Sequence, residues 1–74
     1  MVWNAESALR EAGMRVTRQR IAVLSALRDR PHATADTLTA ATREALGSIS
    51  VQAVYDVLAA CAENGLVRRI QPAG

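Results

Sequence analysis

The chain has 74 residues, and a single domain of that size buries only about 60% of the surface its unfolded form exposes. Half of the residues are hydrophobic, but 15 of them are alanine, there is no Phe, and only one Trp and one Tyr are present, so the core must be built from few large side chains. All nine basic residues are Arg, against seven acids, for a net charge of +2; this balance excludes a multidomain enzyme and a disordered charged tail.

Helix signals follow one another with little space between them. Asn4 is placed to cap a first helix through Ala12, closed by Gly13. Thr17 caps a second helix running to about Arg28 before Pro31, with Val16 and Ile21 spaced as a hydrophobic staple. Thr34 caps a third, in which Leu38, Ala41, Ala45 and Leu46 are expected to share an inward face, and Gly47 ends it. Ser50 caps a fourth, stapled by Ile49 and Val54 and stopped by Asn64-Gly65. Leu66 to Ile70 reads as a short strand, followed by a turn signal at Pro72-Ala73-Gly74. A hairpin turn there calls for a second strand, so residues 1–74 read as a piece of a longer protein.

No apolar run approaches the length of a membrane span, and Met1 to Asn4 lack the basic start of a signal peptide, so the expected compartment is the cytoplasm. Cys61 stands alone in an apolar helical pattern and reads as a buried, reduced thiol.

The third and fourth helices are joined by Gly47, Ser48 and Ile49, the short Gly-containing turn of a helix-turn-helix. On the fourth helix, the 100° periodicity puts Val51, Val54, Val57, Leu58 and Cys61 on the inward face. Gln52, Tyr55, Asp56, Ala59 and Glu63 then face outward. A recognition helix offers its first residues to base edges: Gln can pair with adenine, Asp can accept from cytosine N4, and an aromatic edge can meet a thymine methyl. The same residues also fit a solvated polar face with Tyr55 over the core edge, or a protein-contact surface, and Asp56 opposes phosphate. Arg15, Arg18 and Arg20 add three positive charges with no acid among them at the start of the second helix. Cations there oppose the helix dipole unless an anion docks on the exposed N–H groups. It is the distribution of charge, not its net value, that suggests a duplex.

Four stretches in order carry a family resemblance. They are Ala12-Gly13-Met14-Arg15-Val16-Thr17-Arg18-Gln19-Arg20, Pro31-His32-Ala33-Thr34-Ala35-Asp36, Gln52-Ala53-Val54-Tyr55-Asp56-Val57-Leu58 and Gly65-Leu66-Val67-Arg68-Arg69-Ile70. From about Leu9 to Gly74 the chain resembles the ferric uptake regulator (Fur) family. The resemblance implies a mainly α, winged helix-turn-helix DNA-binding domain of a metal-dependent repressor, with four helices and an incomplete β-wing. Members continue into a dimerisation domain holding most of the metal ligands, bind palindromic double-stranded DNA as homodimers, and use iron(II) or zinc.

Many members carry Thr-Val-Tyr-Arg in the recognition helix, where this chain has Ala53 and Asp56, so their Arg contact does not carry over. Gln-Ala-Val-Tyr-Asp-Val-Leu looks like the FurA-type branch, which represses catalase–peroxidase genes and responds to iron and oxidants; zinc- or other metal-uptake regulators are the alternative within the family. The resemblance implies Tyr55 as a base contact, Arg15 at the minor groove and Arg20 at phosphate; with the residues read above, the expected DNA-binding set adds Arg18 at phosphate, Ser50, Gln52 and Asp56 at the recognition helix, and Arg69 at the wing. His32 is the implied metal ligand, completed only by residues of the absent domain. No nucleophile–base pair or pair of acids with catalytic spacing occurs, and no enzymatic activity is expected.

Overall fold

The computed structural model describes residues 4–30 and 32–66. They form four helices: α1 (Ala5–Glu11), α2 (Arg18–Asp29), α3 (Ala35–Leu46) and α4 (Val51–Glu63). No strand occurs among the described residues. The expected strand falls outside them except for Leu66, which belongs instead to the cap that ends α4.

Each helix begins as its sequence dictates. The side-chain oxygens of Asn4, Thr17, Thr34 and Ser50 accept from the backbone N–H three residues on, at 3.0–3.2 Å. Each thus satisfies one of the donors that a helix start leaves without an internal partner. The ends are equally specific. After α1, Gly13 at φ +76° donates to Arg10 and Met14 donates to Leu9; after α4, Gly65 at φ +79° donates to Ala62 and Leu66 to Cys61. This paired pattern is the Schellman motif, which needs a residue tolerant of positive φ and brings the next residue back against the helix. Met14 is accordingly buried beside Leu9, and Leu66 packs against the core next to Cys61.

Helix α2 is the hub and touches the other three helices. The most deeply buried side chains are Leu9, Val23, Leu38, Thr42, Val54 and Cys61, one or two from each helix. Alanines fill the margins: Ala8, Ala12, Ala41, Ala53 and Ala60 are partly buried against this cluster.

The inward face of α3 differs from the one expected. Ala45 is exposed, Ala41 and Leu46 are half-buried, and Thr39 and Thr42 are buried with Leu38. The hydroxyls of Thr39 and Thr42 donate to the carbonyls of Ala35 and Leu38 at 2.7 Å, four residues back along the same helix. With the polar group tied to its own backbone, each threonine presents methyl and stem to the core. Hydrophobic periodicity overlooks such residues because it scores them as polar. Thr42→Val keeps the shape and removes a hydroxyl that bonds a carbonyl already engaged in the helix. Its stability in urea is therefore expected to stay within about 1 kcal/mol of the parent chain. A larger loss would mean that the hydroxyl has a partner beyond its own helix.

Candidate nucleic-acid interface

The interface is set by the crossing of α3 and α4. Their axes are bent by 102° at the intervening break, within the range of a helix-turn-helix pair. Gly47, at φ +94°, turns the chain out of α3. Arg43 then braces the turn from behind, its Nε donating to the Ile49 carbonyl at 3.0 Å. Ile49 is buried, which seats the turn on the core. Taken singly, no described helix is long and apolar enough to cross a membrane.

With α4 anchored by buried Val54, Val57 and Cys61, its opposite side is exposed at Gln52, Tyr55, Asp56, Ala59 and Glu63, as the periodicity requires. Tyr55 is 53% exposed. Val51 departs from expectation: placed inward by periodicity, it is 37% exposed. As the first residue of α4 it lies at the helix end, where its angular position does not secure cover from the core. An apolar side chain beside Gln52 and Tyr55 is thus available to a thymine methyl, a feature that periodicity had assigned to the core.

Across from this face lies the start of α2. A groove of about 510 Å³ is lined by Arg15, Thr17, Arg18, Gln19 and Arg20 on one side and by Ala53, Asp56 and Val57 of α4 on the other. The structure therefore brings the Arg15–Arg20 segment against the Ala53–Val57 side of α4, with Asp56 the outward residue that joins it, although 30 or more residues separate them in sequence. Glu6 and Asp36 supply an acid to the first turns of α1 and α3, whereas the first turns of α2 and α4 have none. The two helix starts left without a negative charge are those nearest the groove, and their dipoles favour an anion there.

The arginines are not equivalent. Arg15 and Arg18 are exposed. Arg20 is half-buried, and its Nη1 donates to the Arg15 carbonyl at 2.9 Å, tying the loop before α2 to the helix. Burial pushes the Cys61 thiol up, and the positive charge of Arg20 only partly opposes that shift. Cys61 is fully buried and protonated at neutral pH, as its apolar setting implies.

Of the other expected site residues, Ser50 caps α4 through its side-chain oxygen, which leaves its hydroxyl hydrogen for another acceptor. Gln52 Nε2 donates to Asp56 Oδ1 at 2.9 Å, one turn apart on the exposed face. His32 is exposed in the turn between α2 and α3. Among the described residues no three His, Cys, Asp or Glu side chains are grouped to hold a metal ion, so these residues do not by themselves fit one. Arg69 lies outside the described residues.

Comparison with known proteins adds an independent line. The model of the ferric uptake regulator family matches residues 11–74. Transcriptional regulator FurA of Mycobacterium tuberculosis (strain ATCC 25618 / H37Rv) is 56% identical over 66 residues, covering 89% of this chain and 45% of that protein. Ferric uptake regulation protein 1 of Mycolicibacterium fortuitum is 53% identical over 66 residues, 89% of this chain and 41% of the relative. Ferric uptake regulation protein 2 of the same organism is 47% identical over 70 residues, 93% of this chain and 48% of the relative. The chain thus spans less than half the length of these relatives. No solved structure matches it significantly. The chain belongs to the ferric uptake regulator family and is FurA-like.

Proposed function

We propose that the chain is the DNA-reading head of a metal-dependent transcriptional repressor, acting in the cytoplasm on palindromic double-stranded DNA. One observation carries the reading: a helix pair crossing at 102° leaves Gln52 and Tyr55 exposed on α4, and the same helix lines, through Ala53 and Asp56, a groove shared with Arg15, Arg18 and Arg20. In this arrangement α4 enters the major groove, with Gln52, Tyr55 and Asp56 at its leading turns and Ser50 toward the backbone. Arg18 and Arg20 meet phosphate and Arg15 reaches toward the minor groove. Arg69 contributes from a wing that completes the winged-helix fold.

The relatives named as ferric uptake regulation proteins support control of iron-homeostasis genes; catalase–peroxidase genes are the targets implied by the resemblance of Gln52 to Leu58 to the FurA-type branch. The relatives' greater length leaves room for a dimerisation domain, and a homodimer matches a palindrome by symmetry. His32 is then one ligand of an iron(II) or zinc site, with the remaining ligands outside this domain. No catalytic role is part of the proposal.

A protein-contact module is the second reading, favoured by the exposed acids Asp56 and Glu63 around Tyr55 on α4. A mobility shift with random-sequence duplex at low salt separates the two. Retardation is the expected result, and its absence would remove the DNA reading. Among variants, Gln52→Ala is expected to lose base preference while keeping most non-specific affinity, whereas Arg18→Ala lowers binding to all sequences alike. Arg18 is a cleaner probe than Arg20, whose guanidinium also holds the Arg15 loop.

A further inference from the structure

An acid on a DNA-facing helix needs a physical explanation. Asp56 is exposed, projects from the same side of α4 as Gln52, and lines the groove opposite the Arg15–Arg20 segment. Its carboxylate repels phosphate, yet its Oδ1 already accepts a hydrogen bond from Gln52 Nε2 at 2.9 Å. We propose that Asp56 is a specificity-determining positioning residue: its carboxylate holds the Gln52 amide in one orientation, so that Gln52 presents an adenine-reading edge before DNA arrives. This inference rests on the DNA-reading proposal above and goes beyond it by assigning Asp56 to Gln52 rather than to a base.

The chemistry of the amide supports the assignment. A Gln amide has two N–H donors and one carbonyl acceptor. With one N–H engaged by Asp56, the second N–H and Oε1 remain. They form the donor and acceptor pair that adenine N7 and N6–H require. Turning the amide over would set Oε1 against the carboxylate, two acceptors facing each other with no proton between them. Asp56 therefore excludes the reversed pattern of donor and acceptor. It also restricts a long side chain before binding, so less freedom is lost on the DNA. Arg15, Arg18 and Arg20 line the same groove as Asp56. The four-residue spacing is what allows the pair, because residues one turn apart on a helix are neighbours.

Two measurements on the purified chain test the proposal. The first is NMR of the Gln52 side-chain amide without DNA. A hydrogen-bonded Nε2 proton is expected in the parent chain and in Asp56→Asn, whose Oδ1 still accepts, and it should be lost in Asp56→Ala. The second uses a duplex selected by the chain from a random pool, together with each single-base substitution of that duplex. Asp56→Ala is expected to reduce a preference of roughly tenfold or more to about twofold at the base pair where Gln52→Ala acts, and the double variant should lose no more than either single one. Asp56→Asn should keep the preference while binding all duplexes more tightly, since only repulsion has been removed.

Absence of the amide bond in the free chain overturns the positioning role whatever happens on DNA. Full preference retained in Asp56→Ala, or preference lost at a different base pair from that of Gln52→Ala, overturns it as well. If the bond is present but no duplex binds at low salt, the DNA reading itself fails and the specificity role fails with it.

Discussion

Raising salt from about 50 to 200 mM is expected to weaken duplex binding by this chain roughly 10- to 150-fold. Arg15 and Arg18 are exposed around the start of α2, Arg20 is half-buried with its guanidinium bonded to the Arg15 carbonyl, and Arg69, the proposed wing contact, lies outside the described residues. If two to four of them each neutralise one phosphate, the same number of condensed counterions is released on binding. The logarithm of the binding constant then falls with the logarithm of salt at a slope of about −0.9 per phosphate, which is roughly −1.8 to −3.6 per monomer. The net charge of +2 predicts no such slope by itself, because charges elsewhere on the surface do not meet phosphate. Arg18→Ala should make the slope shallower by about one, whereas Gln52→Ala should leave it unchanged, since a base contact displaces no counterion. Titrations at four or five salt concentrations decide the matter, and a flat line would exclude phosphate contacts by the arginines.

The second large effect concerns stability. Leu38→Ala is expected to destabilise the chain by about 2–5 kcal/mol, through lost burial and the cavity left behind. Leu38 is 2% exposed, near the start of α3, the helix that packs most extensively on α2. Neighbouring Ala41 and Thr42 are too short to collapse into the gap. A domain of this size has stability of only about 5–15 kcal/mol, so a large part of it is at stake. Urea denaturation should show a lower midpoint with an unchanged slope, and thermal melting should fall by roughly 10 °C or more. A shift below a few degrees would show that Leu38 is not a principal core contact.

Much of this was legible in the sequence because it rests on local chemistry. Asn4, Thr17, Thr34 and Ser50 mark helix starts through short-range bonds to their own backbone, and Gly13, Gly47 and Gly65 mark ends through backbone angles that other residues avoid. The outward set on α4 follows from helical geometry alone once one buried residue is known. What escaped was non-local or dual in character. Thr39 and Thr42 count as polar until their hydroxyls are seen bonded within the helix. Val51 counts as core by its helical angle, yet at the first position after the Ser50 cap it is left 37% exposed. The groove joining Arg15, Arg18 and Arg20 to Asp56 depends on how α2 crosses α4, which no window of sequence contains. The Gln52–Asp56 bond was within reach, since the four-residue spacing is visible, but nothing in composition says which exposed pairs engage.

The central place of α2 has one further consequence. The helix that meets every other helix is also the one whose first turn carries arginines and no acid. Occupying that turn with phosphate relieves an unfavourable field within the domain's own keel. Under the proposed function, DNA is then a folding ligand as well as a target, because whatever binds only the folded form stabilises it by mass action. Duplex affinity and the stability it lends the domain are then expected to fall together as the ionic strength rises.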